Sequence, residues 1–296
     1  MPSPASSAAA LARSGLPRAE VERVVAAALA EDLPWGDLTT DNLLPSGLPA
    51  TGVIEAREAG VLAGLPVAAL VFEAVDPGVE VEALAAEGAR LQPGQPVGRV
   101  RGDVASLLKA ERVALNFLQR LSGIATQADR YVQAVAGLKA RIVDTRKTTP
   151  GLRLLEKYAV RVGGANNHRY CLSDGVLVKD NHLAALRREG VGLREGLARL
   201  RARLPHTTKL EVEVESLEGV AEALSAGADV ILLDNMAPAA LAEAVRLVAG
   251  RALTEASGGI TLQNVRAAAE AGVDLISIGA LTHSPKALDL AMEIEE

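Results

Sequence analysis

Short apolar runs alternate with polar loops and helical stretches through the second half of the chain. Six of these runs are typical of strands, and they lie at residues 141–144, 175–179, 209–214, 229–234, 252–256 and 274–278. A strand, a polar loop and a helix repeated in this order predict parallel strands joined by right-handed crossovers. Because six units are fewer than the usual eight, we expect a smaller or partly open α/β barrel. A doubly wound open sheet is the alternative.

The first half of the chain has a different pattern. Residues 21–30 predict a helix rich in alanine and valine, and short β-like runs separated by Gly/Pro turns follow between residues 51 and 102. From residue 103 to about 138, leucine and valine recur at helical spacing, which predicts a long helix with one buried stripe. This half is therefore expected to form a small α+β layer ahead of the barrel.

Composition narrows the class of protein. The chain has 296 residues, 49% of them hydrophobic, and a formal net charge of -6, which disfavours general polyanion binding. Its single cysteine, Cys171, excludes an internal disulfide framework and fits a reducing cytoplasm. The longest uncharged stretch, residues 59–72, is shorter than the roughly 20 apolar residues of a spanning helix. We therefore expect a cytoplasmic protein that does not enter a membrane.

The segment from Ile142 to His182 is basic although the chain as a whole is acidic. It holds seven Lys and Arg residues against four acidic residues. Several of these cations follow the first two predicted strands, and ligands bind at this position in parallel α/β proteins. The placement favours a small substrate with several negative charges. Nucleic acid is not expected, because it would need a broad basic face rather than a pocket.

Carboxylates occupy the middle strands. Glu211, Glu213 and Glu215 alternate along the third strand, and Asp234 ends the fourth. At the mouth of a barrel such groups are suited to ribose hydroxyls or to Mg²⁺ bound to phosphate. A solvated strand face is the alternative. Since both faces of a parallel sheet tend to be covered, at least one of the glutamates is expected to have a polar partner.

Glycine turns follow the last two strands. The fifth strand runs into Ser257-Gly258-Gly259, and the sixth runs into Gly279-Ala280. Backbone N–H groups in such turns can approach an oxyanion closely, and a helix expected to start at Thr261 would add its dipole. These features favour a sugar-phosphate site, although an ordinary turn is the commoner explanation of two adjacent glycines.

A series of motifs extends in one order along nearly the whole chain. It comprises Gly36-Asp37-Leu38-Thr39-Thr40, Glu111-Arg112-Val113-Ala114-Leu115-Asn116, Asp144-Thr145-Arg146-Lys147-Thr148, Asn167-His168-Arg169, Lys179-Asp180-Asn181-His182, Glu211-Val212-Glu213-Val214, Leu232-Leu233-Asp234-Asn235, Ser257-Gly258-Gly259 and Gly279-Ala280-Leu281-Thr282-His283. In these motifs the chain resembles the quinolinate phosphoribosyltransferase family.

The resemblance implies a reaction and an architecture. Quinolinate and 5-phosphoribosyl 1-pyrophosphate would give nicotinate mononucleotide, pyrophosphate and CO₂ in de novo NAD synthesis, with Mg²⁺ as cofactor. The implied fold is an N-terminal α/β sandwich at residues 1–115 and a six-stranded α/β barrel at residues 116–296, with a last helix packing back on the sandwich. The implied assembly is a homodimer or a hexamer, in which sites are shared between subunits.

The resemblance also implies roles for individual residues. By this likeness Arg112 reaches quinolinate from the partner subunit. The further quinolinate ligands are Arg146, His168 and Arg169, while Lys147 and Lys179 contact both substrates. Thr145 is also a substrate-binding residue by this likeness. Glu213 and Asp234 hold the ribose hydroxyls and Mg²⁺, and with the two lysines they form the catalytic set. The 5-phosphate is cradled by Ser257, Gly258, Gly259, Ile278, Gly279 and Ala280, with His283 as a cap.

Two other functions fit the same residues. A related barrel phosphoribosyltransferase, such as a molybdenum-transport-associated paralogue, would accept nicotinate or another acid. A non-catalytic barrel would bind sugar phosphate as a sensor, although the carboxylates Glu213 and Asp234 argue against this. A single histidine such as His168 is also more often structural than a ligand.

Overall fold

Helices and strands cover most of the residues that the structure, a computed structural model, describes, namely 7–45 and 47–295. The helices are α1 (Ser7–Ser14), α2 (Arg18–Asp32), α3 (Leu38–Leu43), α4 (Leu65–Val75), α5 (Val104–Ala134), α6 (Arg153–Val162), α7 (Asp180–Arg188), α8 (Leu193–Arg201), α9 (Leu217–Ala226), α10 (Pro238–Val248), α11 (Val265–Glu270) and α12 (Ala280–His283). The strands are β1 (Pro49–Ala56), β2 (Gly60–Val61), β3 (Glu80–Ala83), β4 (Arg90–Leu91), β5 (Pro96–Asp103), β6 (Arg141–Val143), β7 (Val176–Val178), β8 (Leu210–Val214), β9 (Val230–Asp234), β10 (Leu253–Ser257), β11 (Leu275–Ser277) and β12 (Leu290–Ile294).

The chain divides into two compact units. The first comprises residues 1–129, 148–164 and 282–296, and the second comprises residues 130–147 and 165–281. The predicted domain boundary between residues 115 and 116 falls inside α5, in the first unit. It stays a prediction.

An antiparallel sheet forms the centre of the first unit. Its strand order is β12-β1-β5-β3, and β12 pairs with β1 from Gly52 opposite Ile294 to Ala56 opposite Leu290. The expectation of a last helix is therefore wrong in the type of element. Leu290–Ile294 contains good helix formers, but pairing with β1 satisfies its backbone and overrides that local preference.

The second unit contains a six-stranded parallel sheet. All six predicted strands are confirmed as β6 to β11, and the sheet order is β6-β11-β10-β9-β8-β7. The first strand thus lies beside the last, and the others follow in chain order. A doubly wound sheet would instead reverse its order at a central switch point. The order is that of a six-stranded α/β barrel. The barrel is open between β6 and β7, because no strand pairing among the described residues joins these two strands.

Burial along the barrel strands explains why the sequence pattern was informative. Val230, Ile231, Leu232 and Leu233 of β9 are all buried, as expected for a strand covered on both faces. Charged residues inside such strands are therefore exceptional. None of the helices within residues 7–45 and 47–295 combines the length and apolar character that crossing a membrane requires.

Candidate active site

The carboxyl-terminal ends of the barrel strands gather the predicted site residues of the second unit. Because the six strands are parallel, the segments that follow them emerge at one edge of the sheet. Thr145, Arg146 and Lys147 follow β6, and Lys179 follows β7. The other strands contribute Glu213 near the end of β8, Asp234 at the end of β9, Ser257 at the end of β10, and residues 278–280 after β11.

A buried aspartate organises the loop that carries the Asn-His-Arg motif. Asn166 lies beside β6, where it forms a parallel bridge with Val143. The fully buried Asp144 accepts hydrogen bonds from the backbone N–H of His168 at 2.8 Å and from the side-chain amide of Asn167 at 2.7 Å. These bonds fix the direction of the chain through the motif, so that the residues after it return to the same edge.

Two arginines meet at this edge. Arg169 donates from Nη1 to the carbonyl of Gly175 at 2.8 Å, which anchors its side chain. Burial lowers the pKa of Arg169, the neighbouring Arg146 adds to this effect, and Glu211 opposes it. Two guanidinium groups within electrostatic reach repel each other, and a bound anion would relieve that repulsion. Lys147 lies exposed beside them, with its backbone N–H donating to Thr145 Oγ1 at 3.1 Å.

His168 makes contacts through both ring nitrogens. Its Nδ1 accepts the backbone N–H of Arg169 at 2.7 Å, and its Nε2 lies 3.2 Å from Glu211 Oε2 and 3.5 Å from Glu255 Oε1. Since Nδ1 accepts a hydrogen bond, the hydrogen-bond pattern assigns the ring proton to Nε2. The prediction that one of the strand glutamates has a polar partner is thereby confirmed for Glu211.

Glu255 is the most deeply buried acid of this group. Its residue is 1% exposed, and one oxygen each of Glu211 and Glu255 is buried without a hydrogen-bond partner among the described residues. Burial, reinforced by the adjacent Glu211 carboxylate, raises the pKa of Glu255 to about 7, while His168 and Ser277 oppose the rise. Two close carboxylates in an apolar interior cannot both ionise easily, so the pair holds one proton near neutral pH.

A second charged group lies at the ends of β7, β8 and β9. Lys179 Nζ is 3.8 Å from Glu213 Oε2, and the Glu213 side chain is 18% exposed. Burial raises the pKa of Glu213, Lys179 opposes this, and the nearby Asp234 reinforces it. A pair of mutually repelling carboxylates at adjacent strand ends has the oxygen ligands that Mg²⁺ prefers. Glu213 and Asp234 therefore fit the metal that the sequence motifs imply.

The glycine turn after β10 is held tightly on one side and open on the other. Gly258 has φ +81° and Gly259 has φ +60°, both in the left-handed region. A Cβ on Gly258 would lie 2.3 Å from Asn235 Oδ1, whereas a Cβ on Gly259 would meet nothing within 4 Å. Asn235 also donates its backbone N–H to the Ser257 carbonyl at 2.9 Å. The turn after β10 therefore packs closely against Asn235 at Gly258. At Gly259 the space beside the backbone is open.

The helix expected at Thr261 begins later. Thr261 donates its backbone N–H to Asn264 Oδ1 at 2.8 Å, and Asn264 Nδ2 donates to the Gly259 carbonyl at 3.0 Å. These bonds hold residues 261–264 in a turn, so the helix starts only at Val265 and contains six residues. The expected dipole contribution at Thr261 is therefore wrong in position, and the backbone of the glycine turn carries the case for a phosphate site.

Two predicted site residues belong to the first unit. Arg112 is exposed on α5, and His283 is exposed with its Nδ1 2.6 Å from Ser284 Oγ. Sequence reasoning did not single out Glu255, or Glu211 apart from its neighbours, as functional residues. The signal was present, because a glutamate in the middle of an otherwise apolar parallel strand must find a polar partner.

Comparison with known proteins identifies the family of the chain. The model of the quinolinate phosphoribosyl transferase N-terminal domain matches residues 37–122, and that of the C-terminal domain matches residues 124–293. A Synechocystis protein described as a probable nicotinate-nucleotide pyrophosphorylase (carboxylating) is 47% identical over 272 residues, covering 90% of each chain. The corresponding Mycobacterium leprae enzyme is 45% identical over 273 residues, covering 90% of this chain and 94% of its own. The crystal structure of NadC from Streptococcus pyogenes superposes with a TM-score of 0.90 at 43% identity, covering 95% of this chain and 98% of its own. This chain belongs to the quinolinate phosphoribosyl transferase family.

Proposed function

We propose that this protein transfers the phosphoribosyl group of 5-phosphoribosyl 1-pyrophosphate to quinolinate, with release of CO₂. The products are nicotinate mononucleotide and pyrophosphate, in de novo NAD synthesis. One observation carries the proposal besides family membership: cations follow β6 and β7, carboxylates end β8 and β9, and a glycine turn follows β10, all at one edge of a parallel sheet. A dicarboxylate, a ribose with a metal and a phosphate would each meet complementary groups there.

Quinolinate binding is assigned to the arginine pair. Arg146 and Arg169 are partly buried and electrostatically coupled. A planar guanidinium can donate two parallel hydrogen bonds to one carboxylate, which suits a ring with two adjacent acid groups. We assign Lys147 to the same acid, with Thr145 holding its backbone.

The sugar phosphate is assigned to the later strands. Glu213 and Asp234 would hold the ribose hydroxyls and Mg²⁺, which supplies positive charge for departing pyrophosphate when it is bound. The 5-phosphate would lie on the backbone of residues 257–259 and 278–280, where the glycines allow close approach. His283 as a cap of this phosphate stays a proposal drawn from the motif alone.

The reaction needs no side-chain nucleophile. The bond between ribose C1 and the pyrophosphate oxygen breaks, and the pyridine nitrogen forms the new bond to C1. Lys179 and Lys147 stabilise the negative charge that moves onto pyrophosphate, because they are cations already in place before the bond breaks. The ring nitrogen is then positively charged, so the 2-carboxylate leaves as CO₂ while C2 keeps the electron pair and takes a proton.

A homodimer or a hexamer with shared sites is proposed for the assembly. Trp35, Leu38 and Leu43, in and before α3, are 94%, 84% and 73% exposed, an unusual set of apolar side chains to leave in water. Mixing inactive Arg112→Ala and Arg146→Ala variants tests whether Arg112 acts across subunits. If Arg112 acts across subunits, random exchange makes half of the dimers mixed, and each mixed dimer has one intact site out of two. The mixture should therefore recover about a quarter of wild-type activity. No recovery after verified subunit exchange would place Arg112 in its own subunit's site.

The single Cys171 supports a cytoplasmic location.

The decisive experiment follows product formation. Pure protein with 5-phosphoribosyl 1-pyrophosphate, Mg²⁺ and quinolinate should give nicotinate mononucleotide and CO₂, with nicotinate as the parallel substrate. Arg146→Ala should lower kcat/KM for quinolinate by about 100-fold or more. The substrate carboxylate would lose a charged hydrogen bond and would be left without a cationic partner in the site. Arg194→Ala, on the exposed surface of α8, is the matched control. Turnover of nicotinate but not of quinolinate, or phosphate binding without turnover, would refute the proposal.

A further inference from the structure

Glu211 and Glu255, the two buried acids that face His168, have no role in the reaction proposed above. Glu211 lies on β8 and Glu255 on β10, and alternate strands of a barrel contribute side chains to the same interior layer. The nearest ligand-type atoms of the three side chains all lie within 4.8 Å of one another. Both glutamates are buried, at 7% and 1% exposure. Such a group in an apolar interior is costly unless it serves the residues around it.

A metal ion does not fit this group as it stands. Neutral imidazole has one lone pair, and in His168 it lies on Nδ1, which accepts the backbone N–H of Arg169. The Nε2 that faces both glutamates therefore carries a hydrogen and cannot also ligate a cation. The two carboxylates therefore face the N–H donor of His168 and not a nitrogen lone pair that could bind a metal. Hydrogen bonding accounts for the arrangement of the three side chains.

One more hydrogen is needed to satisfy the two acids. The single Nε2–H of His168 is 3.2 Å from Glu211 and 3.5 Å from Glu255, so it serves Glu211 better. Two adjacent buried carboxylates hold a proton between them because neither is solvated well enough for both to ionise. Glu255, the more deeply buried of the two, is the natural holder of that proton.

We propose that Glu255 is a positioning residue of the acid-binding site: its carboxylic acid hydrogen joins it to Glu211, and this pair fixes the ring of His168 and the backbone of Arg169. Two short contacts make the connection: Glu211 Oε2 lies 3.2 Å from His168 Nε2, and the backbone N–H of Arg169 donates to His168 Nδ1 at 2.7 Å. The role assigned to Arg169 rests on the proposed function. The fixed geometry of the group does not.

The charge of the group explains why a neutral Glu255 is useful. Glu211 already opposes the repulsion between Arg169 and Arg146 with one negative charge. A second negative charge at Glu255 would compete with an anionic substrate for the same guanidinium groups. A neutral hydrogen-bond donor at this position holds the structure together and leaves the cations available.

Three variants test the proposal at about pH 6, where Glu255 is mostly protonated. Glu255→Gln keeps both a donor and an acceptor, whereas Glu255→Met keeps the length and removes both. Glu222→Met, at an exposed position of α9, is the matched control. We expect Glu255→Met to raise KM for quinolinate by about tenfold or more, with KM for 5-phosphoribosyl 1-pyrophosphate changed by less than about threefold. Glu255→Gln should stay within about threefold of wild type for both substrates.

A measurement without substrates separates this proposal from the proposed function. The chain has only four histidines, so ¹⁵N-labelled histidine spectra can be assigned with a His168→Gln variant. Wild type and Glu255→Gln should show His168 as one tautomer with the proton on Nε2, and Glu255→Met should lose that single state. If wild type proves inactive on quinolinate, the proposed function fails while the spectra still decide the positioning role.

Two results would overturn the inference. Equal damage by Glu255→Gln and Glu255→Met would mean that a neutral donor is not what the site requires. An unchanged KM and an unchanged His168 tautomer in Glu255→Met would mean that the group does not depend on Glu255. Should Glu255→Met fail to fold, the Glu255→Gln result alone retains its force, because that variant preserves shape and hydrogen bonding.

Discussion

Replacing Glu255 by glutamine should make the folded protein more stable at alkaline pH and leave it unchanged in acid. The pKa of Glu255 is about 7 in the folded protein, against an ordinary value of 4.5, because burial and Glu211 disfavour its ionised form. Between these two values the unfolded chain releases the proton while the folded protein keeps it, so stability falls as pH rises. Below about pH 4.5 the contribution is fully present, and above about pH 7 it is lost. At about 1.4 kcal/mol per pH unit, the loss amounts to about 3 kcal/mol.

Urea unfolding followed by far-UV circular dichroism would measure this difference. Tryptophan fluorescence is a poor probe, because the single tryptophan, Trp35, is already 94% exposed in the folded protein. The free energy of unfolding of Glu255→Gln minus that of wild type should grow by about 2.5 kcal/mol between about pH 5 and pH 8.5, since part of the change has already occurred at pH 5. Glu222→Gln, at an exposed position, should show no such growth. A difference that is constant with pH would refute the reasoning, since it would mean that Glu255 ionises normally in the folded protein.

Four further substitutions have definite expected outcomes. Arg120→Ala removes the ion pair at 2.7 Å to the fully buried Glu156 and should cost about 3–5 kcal/mol of unfolding free energy, measured in urea with Arg120→Lys as a partial rescue. Full stability of Arg120→Ala would show that Glu156 is compensated by its other partners. Gly258→Ala should raise KM for 5-phosphoribosyl 1-pyrophosphate by about tenfold or more, because its Cβ has no room, whereas Gly259→Ala should cost only about 1–2 kcal/mol of stability from its left-handed backbone. Equal kinetics for the two alanine variants would contradict the close packing seen at Gly258. Lys179→Met should lower kcat by about 100-fold in steady-state assays, as expected when one preorganised charge is removed, and an unchanged kcat would remove Lys179 from the reaction.

The six barrel strands could be predicted because the local sequence indicates which strands are buried. A parallel strand covered on both faces is a short apolar run, as in Val230–Asp234, and the polar residue that ends it marks the functional edge. The last strand could not be predicted in this way. Leu290–Ile294 contains residues that also favour a helix, and only its pairing with Pro49–Ala56, more than 200 residues earlier, makes it a strand.

The same distinction between local sequence and long-range contacts applies to the residues of the candidate site. Residues adjacent in sequence to a strand end, such as Arg146, Lys179 and Asp234, could be assigned to one edge once the strands were predicted to be parallel. The grouping of His168 with Glu255 could not, because it depends on how a loop and two strands separated by β9 meet inside the barrel. Side-chain distances and burial, which set proton positions and pKa values, exist only after folding.

The amino-acid sequence by itself determined the repeated strand and helix units with parallel strands, the family and the sign of the charge at each strand end, because periodicity and motifs are local properties of the chain. The strand order of the folded sheet decided between a barrel and a doubly wound sheet. Only the tertiary structure decided that His168 uses both ring nitrogens within the protein, that Glu255 is buried against Glu211, and that Gly258 but not Gly259 lacks space for a side chain. The physical reason is that hydrogen bonds, desolvation and steric contact depend on distances in space, and residues far apart in sequence acquire those distances only when the chain folds.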